Sequence, residues 1–557
     1  MAMSDSEKHD HKAPEVNPHL YATNHSDEEV GVVAKGAALK TDLHGRHMQM
    51  IAIVLLTGLL STGGAIGAGL FIGTGNALYS GGPASLVIGY TIVGIMLLFT
   101  MQALGELAVL YPVNGAFYTY IVRFIDPSWG FAVGWEYAIG WLTVLPFELI
   151  AAGATIEYWR SDINVAVWVT VFLVVLTIIQ VFGVRGYGEV EFVLSMIKIA
   201  ACIGFIIFGI VVDCGGVGDK GYLGARYWYD PGAFRNGFNG FAGVFVVAAF
   251  AFGGTELVGL AAAESANPRK AIPLAAKQVF FRIAFFYIVN LFILGLIFRA
   301  DDPRLEHATG SNSRFSPFTL AIQDAGVAAL PSIFNVVITI SVISVANSCT
   351  FGSTRTMQAM AERGMAPKFL SYVDKDGRPV WCIVIQLVFG LLGYVGAAPN
   401  GGVAFDWLLA LSGLAYFFAW GSCCLAHIRF RMAYKAQGRD LREIPYKAPW
   451  GIWGSAIAFF LNIVCLIATF YNALYPDPNA TPDAEVFFQK YLAAFIVLGL
   501  YIFWKCYSRD WKMWVKLQDI DLVSGSRPLE PEEFDSIEFH EKLTLKNFPM
   551  RVLRSIF

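Results

Sequence analysis

Long apolar segments recur along most of this chain, and they restrict its fold more than any other feature. Twelve of them lie between residues 51 and 507, and each reaches or nearly reaches the length of about 20 residues that a helix needs to cross a bilayer. The chain is 56% hydrophobic and only 15% charged over 557 residues, whereas soluble domains carry about 25% charged residues. We therefore predict an all-α, polytopic membrane protein with twelve transmembrane helices. The segments are 51–78, 83–107, 129–159, 165–184, 192–212, 237–262, 280–298, 330–351, 380–398, 405–427, 450–475 and 486–507.

Basic residues in the short loops indicate which ends of the segments face the cytoplasm. The loops after segments 8 and 10 contain five and six lysines or arginines, whereas the loops after segments 9 and 11 contain none. Even-numbered segments are therefore expected to end in the cytoplasm. This orientation predicts a membrane domain over residues 50–507 between two cytoplasmic tails, 1–49 and 508–557. Because residues 1–49 are polar and charged, we expect no removable signal peptide there.

Several other functions find no support in the sequence. It contains no G-x-x-x-x-G-K-[ST] loop for ATP, and its eight cysteines show no spacing typical of a metal site. The 40 basic and 43 acidic residues nearly balance, which gives no indication of a nucleic-acid partner. We expect no enzyme activity, no cofactor and no metal.

The first apolar segment contains an unusual density of glycine. Glycine in a helix interior costs about 1 kcal/mol relative to alanine, and unwound backbone inside a bilayer is tolerated only against protein or a water-filled cavity. The segment is therefore expected to be a broken helix at which a small charged solute meets bare backbone groups. A helix-packing surface of small residues is the alternative interpretation. The glycines are Gly63, Gly64, Gly67, Gly69, Gly73 and Gly75.

Segment 6 shows the same kind of interruption five segments later. Its centre contains Gly253, Gly254 and Glu256. Corresponding interruptions in segments 1 and 6 indicate two five-helix inverted repeats with a binding site between them. Half-helix amide ends in segment 1 would hold a carboxylate, carbonyl ends in segment 6 would hold an ammonium group, and Phe252 would cap the site. The expected ligand is an α-amino acid.

Ionisable residues inside the apolar segments are costly and mark function by default. Four stand out: Glu136 and Glu148 in segment 3, Lys198 in segment 5 and Glu256 in segment 6. Lys198 has no acidic neighbour on its own helix face within one turn, so we expect it to pair across helices or to be neutral. It is our candidate proton carrier. The alternative is that its side chain extends along the helix to the membrane surface.

Several ordered stretches resemble the fungal amino-acid permeases of the amino acid–polyamine–organocation (APC) superfamily, of the general amino-acid permease type. The resemblance covers residues 44–514. The stretches that carry it are 63–75, Gly81-Gly82-Pro83 through Gly105-Glu106, 183–192, 252–259, 264–273, Asn347-Ser348, Ser353-Thr354-Arg355 and 407–413.

This resemblance implies a LeuT-like 5+5 inverted-repeat fold, a plasma-membrane location and proton-coupled uptake by alternating access. The repeats would span about 50–212 and 237–427, followed by two further helices within 450–507. Lys198 would be the proton-linked group, and the amino-acid substrate, the proton and the lipid bilayer would be the partners. Ubiquitin-ligase machinery is a candidate partner of the cytoplasmic tails. The expected substrate-binding residues are Ile66, Gly67, Ala68, Gly69, Phe252, Gly253, Gly254, Glu256, Ser344 and Asn347.

Glu264, Arg269 and Lys270 resemble an inner-gate salt-bridge cluster. A solvated loop turn is the alternative interpretation of these three residues. Three departures from the family pattern stand out: Ala68 occupies a position where a hydroxyl is usual, Glu136 replaces a neutral residue, and residues 54–62 look like an insertion. Inserted residues would add about 13 Å to a helix at 1.5 Å per residue.

Other functions remain open on this scaffold. A nutrient receptor would bind amino acids without moving them. A transporter of a polyamine, choline or γ-aminobutyrate is a second alternative, and the anion-binding amides expected in segment 1 argue against the first two of these solutes. A channel is less consistent with two broken helices and a buried lysine.

Overall fold

The computed structural model describes residues 66–218, 220–264, 268–306, 316–398, 401–476 and 481–529. Within these ranges the protein is helical and contains no strand. The α-helices are α1 (Thr74–Leu110), α2 (Ala116–Phe124), α3 (Pro127–Ile156), α4 (Val165–Val181), α5 (Gly183–Asp213), α6 (Gly237–Phe252), α7 (Leu257–Leu260), α8 (Pro268–Phe281), α9 (Asn290–Ile297), α10 (Pro303–Glu306), α11 (Pro317–Asp324), α12 (Leu330–Glu362), α13 (Val380–Gly390), α14 (Gly401–Ala436), α15 (Gly451–Leu474) and α16 (Ala484–Ser508). Wider π-helical turns cover Gly69–Gly73, Trp228–Gly232 and Arg282–Val289. Tighter 3₁₀ turns cover Ala261–Glu264, Lys368–Ser371, Leu391–Ala397 and Leu441–Glu443.

A glycine separates the first two predicted segments. The turn Gly69–Gly73 runs into α1, but Gly82 inside α1 has a φ of 82° and a ψ of 169°, which no helix contains. A Cβ atom at Gly82 would lie 2.6 Å from the carbonyl oxygen of Ala233, so the position requires glycine in both conformation and space. Pro83 then starts the next helical stretch, where its missing N–H costs nothing.

The predicted interruption of segment 6 is present. Helix α6 ends at Phe252, Gly253 takes an extended ψ of 144°, and Gly254 has a positive φ of 93°. The chain becomes helical again at Leu257. The interruption predicted in segment 1 is described only from residue 66 onward, where a bend at residues 66 and 67 precedes the helical turn.

The interior of the bundle is built from α1, α3, α6, α12 and α14, whereas α15 and α16 lie at its periphery. In the most apolar stretches of the helices, 89% of the residues of α3 are buried inside the protein but only 11% of those of α16. Helix α3 packs along α12 and α14, and α1 packs along α6. The exposed side chains of α16 include Phe495, Leu498 and Phe503, as expected of a helix that faces lipid.

Ten helical runs in the described residues are long and apolar enough to cross a membrane. The run Gly69–Leu110 counts once although Gly82 interrupts it, and Val165–Val181 is apolar but shorter than the others. The total of twelve spans and the inverted repeat stay predictions. The apparent insertion at 54–62 and the tail at 1–49 lie outside the described residues.

Residues 515–529 form a strap across one end of the bundle. The Val515 N–H donates to the carbonyl of Ile125 between α2 and α3 (2.9 Å), and the Arg527 N–H donates to that of Leu110 at the end of α1 (2.8 Å). Ile520 and Leu522 in the strap are buried. The first part of the predicted C-terminal tail is therefore docked on the helical bundle.

Candidate functional site

A small cavity lies where the two interrupted segments meet. The space between its walls is narrow, with room for about one water molecule in this conformation. Three of the predicted site residues contribute to its wall, and the other wall residues come from α3, α6, α12 and α14. The wall consists of Gly67, Gly69, Val144, Glu148, Phe250, Gly253, Val345 and Tyr416.

The walls of the cavity lie close together because glycines let the backbone pack directly against neighbouring residues. A Cβ atom at Gly67 would lie 2.4 Å from Cγ2 of Val345, and one at Gly69 would lie 2.7 Å from the backbone Cα of Ala251. A Cβ at Gly253 would lie 2.3 Å from Cζ of Tyr416. Each contact is shorter than atoms can tolerate, so any larger residue must displace a wall of the cavity.

Opposite helix ends meet at this cavity. Gly67 and Gly69 lie at the N-terminal end of the helical run that continues into α1, and Gly253 follows the C-terminal end of α6. The first N–H groups of a helix and its last carbonyl groups have no partners within the helix, and they carry partial charges of about +0.5 and −0.5. The cavity therefore lies between helix ends of opposite partial charge, and the last carbonyls of α6 also accept hydrogen bonds from Gly253, Thr255 and Tyr287.

A buried carboxylate completes the wall. Glu148 on α3 is 1% exposed, and neither of its oxygens accepts a hydrogen bond from any described side chain or backbone group. The backbone N–H of Ala68 faces this carboxylate without making a full hydrogen bond to it. A carboxylate in this setting favours a cationic ligand or a proton, because an isolated buried charge is costly.

Glu256 has a different environment, although both residues are buried. Its carboxylate accepts hydrogen bonds from the Tyr137 hydroxyl (2.8 Å), the Gly254 N–H (3.3 Å) and the Trp420 indole N–H (3.3 Å). These bonds tie the interruption after α6 to α3 and α14. Glu256 does not belong to the wall of the cavity.

Phe252, predicted to cap the site, lies behind the cavity wall. It is fully buried, and its ring centre lies 4.5 Å from that of Tyr287 and 5.6 Å from that of Tyr90. The Tyr287 hydroxyl donates to the Ala251 carbonyl (2.8 Å), so this aromatic cluster supports the last turn of α6. A role of Phe252 as a cap stays a prediction.

Lys198 is buried in a hydrogen-bonded chain that joins α5 to α12. Its ammonium group donates to Oγ of Ser344 (2.6 Å), and the Ser344 hydroxyl donates to Oε1 of Glu191 (2.5 Å). The Lys198 side chain is 1% exposed and does not reach the surface.

The prediction about which group pairs with Lys198 is incomplete. Glu191 lies on the same helix as Lys198, two turns earlier, and their charged groups are 3.9 Å apart. A search within one turn misses this acid, because a lysine side chain is long and leans toward the N-terminus of its helix. The inference that Lys198 must pair across helices or be neutral was therefore wrong in excluding its own helix.

The remaining predicted residues occupy three other places. Ile66 and Ala68 are buried next to the wall glycines, and Oδ1 of Asn347 accepts a hydrogen bond from Gln180 of α4 (3.2 Å). Arg269 donates to the carbonyl of Pro528 in the strap (3.0 Å), and Lys270 is exposed. The side chain of Glu264 lies outside the described residues.

Sequence reasoning missed the role of several residues in this region. The sequence marks Glu148 as a buried charge but does not place it at the site, and it gives neither Tyr416 nor Glu191 a role there. The spacing of seven residues between Glu191 and Lys198 was a usable signal, because residues two helical turns apart share a face. No local signal identifies Val144, Val345 or Tyr416, since they reach the cavity only through the packing of α3, α12 and α14.

Comparison with known proteins identifies close relatives. The family model described as "Amino acid permease" matches residues 57–517. The general amino-acid permease of Saccharomyces cerevisiae is 46% identical over 525 residues, covering 93% of this chain and 85% of the relative. Amino acid transporter 1 of Schizosaccharomyces pombe is 50% identical over 505 residues, covering 89% and 84%. Cationic amino acid transporter 1 of the same yeast is 50% identical over 503 residues, covering 89% and 83%. The resemblance inferred from the ordered motifs is confirmed.

Proposed function

The chain belongs to the amino acid permease family, and on that premise we propose that it imports α-amino acids across the plasma membrane by proton symport and alternating access. Both termini lie in the cytoplasm, as the basic loops indicate. The relatives whose names describe amino-acid transport support the solute class. A secondary transporter needs no nucleotide, consistent with a sequence that lacks a phosphate-binding loop.

The observation that carries the proposal is the meeting, at one cavity, of opposite helix ends and a carboxylate that accepts no hydrogen bond from the described residues. The substrate carboxylate binds the N–H groups around Gly67 and Gly69. The substrate ammonium group binds the carbonyl end of α6 near Gly253 and the carboxylate of Glu148. In an α-amino acid one carbon atom separates the two charged groups, so a small cavity can serve both.

The side chain of the substrate meets an apolar part of the wall. Val144, Phe250 and Val345 supply aliphatic and aromatic surface, and Tyr416 supplies a ring with a polar hydroxyl. Contacts of this kind favour apolar side chains by about 25 cal/mol per Å² buried but discriminate weakly between similar ones. We therefore propose a broad range of substrates.

Lys198 supports the proton-coupled part of the proposal. An ionisable group at this depth is costly to keep unless it has a function, and it faces both Glu191 and Glu148. A gradient of one pH unit is worth about 1.36 kcal/mol, which supports about tenfold accumulation, and a potential of 100 mV adds about 2.3 kcal/mol per charge.

Competition during uptake tests the solute class. The purified protein in liposomes should take up a labelled α-amino acid, and unlabelled α-amino acids should compete. N-acetyl amino acids lack the ammonium group and methyl esters lack the carboxylate, so neither should compete. Competition by choline or a polyamine at lower concentrations than any α-amino acid would contradict the proposed site. Binding without uptake would instead indicate a nutrient receptor.

An imposed pH gradient tests the driving force. Uptake should rise when the outside is made acidic, and a protonophore should abolish the accumulation. Uptake that is changed neither by the pH gradient nor by the protonophore would contradict proton symport. An inner-gate role for Glu264, Arg269 and Lys270 stays a prediction, as does a role for ubiquitin-ligase machinery.

A further inference from the structure

The hydrogen bonds around Lys198 form a continuous path for a proton. The ammonium group lies 2.6 Å from Oγ of Ser344, which lies 2.5 Å from Oε1 of Glu191. Direct transfer from Lys198 to Glu191 is unfavourable because their atoms are 3.9 Å apart, beyond the usual hydrogen-bond range of about 2.7–3.2 Å. The Ser344 hydroxyl can both accept and donate, so it can relay a proton between them.

The two ends of this path differ in exposure. The Lys198 side chain is 1% exposed, whereas that of Glu191 is 10% exposed. Glu191 also lies seven residues closer to the start of α5, about 10 Å along the helix at 1.5 Å per residue. With the proposed orientation, the start of α5 faces the cytoplasm. The path therefore points from the lysine toward the cytoplasmic end of α5, and Oε2 of Glu191 at its end is itself buried in this structure.

Charged and polar groups surround both ends of this path. Lys198 is surrounded by Glu191 on its own helix, Glu148 on α3, the Cys202 thiol and Arg282 of the π-helical turn. Glu191 faces Lys198 and the polar side chains of α12. Moving the proton from Lys198 to Glu191 turns an ammonium–carboxylate pair into a neutral pair, which removes two charges from a low-dielectric interior.

We propose that Glu191 is the cytoplasmic acceptor of the transported proton and that Ser344 is its relay. The N–H bond of Lys198 breaks as an O–H bond forms at Ser344, while the original Ser344 O–H bond breaks and an O–H bond forms at Glu191. The products are a neutral amine and a carboxylic acid, and Ser344 is unchanged. Glu191 then releases the proton to water when the cytoplasmic side opens. This role rests on the proposed proton symport.

Two variants interrupt the path with small changes in shape. Glu191→Gln keeps an oxygen that can accept from Ser344 but cannot take a proton, and Ser344→Ala removes the relay. Ser344→Thr keeps the hydroxyl. The matched control is Ser341→Ala, because Ser341 is a buried serine one turn earlier on α12 whose hydroxyl donates only to the Val337 carbonyl among the described residues (2.7 Å).

Each protein is reconstituted in liposomes, and two activities are compared. One is accumulation of a labelled α-amino acid under an inward gradient of one pH unit; the other is exchange at equal pH, which needs no net proton movement. The wild-type protein and Ser341→Ala should accumulate about tenfold more than without the gradient. Glu191→Gln should lose this gain while exchange stays within about threefold. Ser344→Ala should lose the gain by a larger factor than it loses exchange, and Ser344→Thr should retain part of the gain.

Two outcomes would overturn the relay. Accumulation by Glu191→Gln at the wild-type level, with the wild-type dependence on pH, would remove Glu191 from the path. Equal loss of exchange and accumulation in both Glu191→Gln and Ser344→Ala would assign these residues a structural role. If the wild-type protein exchanges amino acids but its accumulation does not change with the pH gradient, proton symport itself is overturned.

Discussion

At Gly67 and Gly69 a single methyl group decides whether the cavity can form. The two glycines differ in what surrounds them: a methyl group at Gly67 would meet the Val345 side chain, whereas one at Gly69 would meet the backbone of Ala251. A side chain can be shortened by mutation, but a packed helix backbone cannot move without disturbing α6. The same substitution therefore has different consequences at two nearby positions.

We expect Gly67→Ala to reduce uptake by at least tenfold and Val345→Ala to restore part of it in the double variant, because the shorter side chain leaves room for the methyl group. Gly69→Ala should lose uptake in either background. Uptake rates are measured together with the amount of protein at the cell surface. Wild-type uptake by Gly67→Ala would show that this close approach is not needed.

Two buried glutamates on neighbouring elements have opposite surroundings. Glu256 accepts three hydrogen bonds, whereas Glu136 on α3 accepts none from any described residue. An ionised carboxylate only accepts, so a glutamine at position 256 would turn an amide N–H toward a donor.

We expect Glu256→Gln to lower the free energy of unfolding by about 1.5–3 kcal/mol, the usual value of hydrogen bonds to a charged group, and to slow uptake. Glu136→Gln is the matched control and should be neutral or stabilising, because it replaces a buried carboxyl group that has no hydrogen-bond partner in the described structure. The stabilities of the two variants are compared by thermal unfolding of the detergent-purified proteins. A larger loss of stability in Glu136→Gln would contradict this assignment.

At the scale of elements, the strap at 515–529 joins parts of the chain that are far apart in sequence. Its backbone bonds to the end of α1, to the loop before α3 and, through the Leu529 N–H, to Glu443 after α14 (2.8 Å). Gln437 at the end of α14 donates to the strap carbonyls of Leu517 (3.0 Å) and Ile520 (2.8 Å). Any motion that separates these helix ends must stretch the strap.

Gln437→Ala should loosen the strap, because it removes bonds worth about 0.5–1.5 kcal/mol each. Amide hydrogen exchange at residues 515–529 should become faster, with little change in α3. Gln518→Ala is the control, since the Gln518 side chain is exposed and the strap uses only its backbone carbonyl. Unchanged exchange in Gln437→Ala would mean that other contacts hold the strap.

At the scale of the whole molecule, the proposed proton coupling joins charges held by α3 and α5 to a hydroxyl group supplied by α12. Lys198→Met removes the only amine at this point of the described structure but leaves Glu191 as a buried charge without its cation. Breaking a buried ion pair in this way costs about 3–5 kcal/mol. The double variant Lys198→Met with Glu191→Gln removes both charges and is therefore the better test.

We expect both variants to lose the increase in accumulation caused by external acid, and the double variant to be the more stable of the two. Uptake between pH 5 and 7.5, with and without a protonophore, measures the first effect, and thermal unfolding measures the second. Accumulation by the double variant with the wild-type pH dependence would remove Lys198 from the coupling mechanism.

The sequence by itself determined the class of the protein and the place where segment 6 is interrupted. Length and hydropathy identify membrane segments because the bilayer imposes one thickness on all of them. The interruption after Phe252 was predictable because adjacent glycines next to a carboxylate are poor helix formers. The family followed from ordered motifs, which the comparisons confirmed.

Only the tertiary structure decided that Glu148 lines the cavity, that Glu256 accepts hydrogen bonds at the interruption after α6, and which groups Lys198 contacts. Glu148 and Glu256 look equivalent in sequence, and their roles separate only through the rotation of α3 and the donors supplied by Tyr137 and Trp420. The hydrogen bonds of Ser344 and the docking of the strap likewise join distant segments. Hydrophobicity sets which segments are buried, but the packing of one helix against another sets which side chains meet.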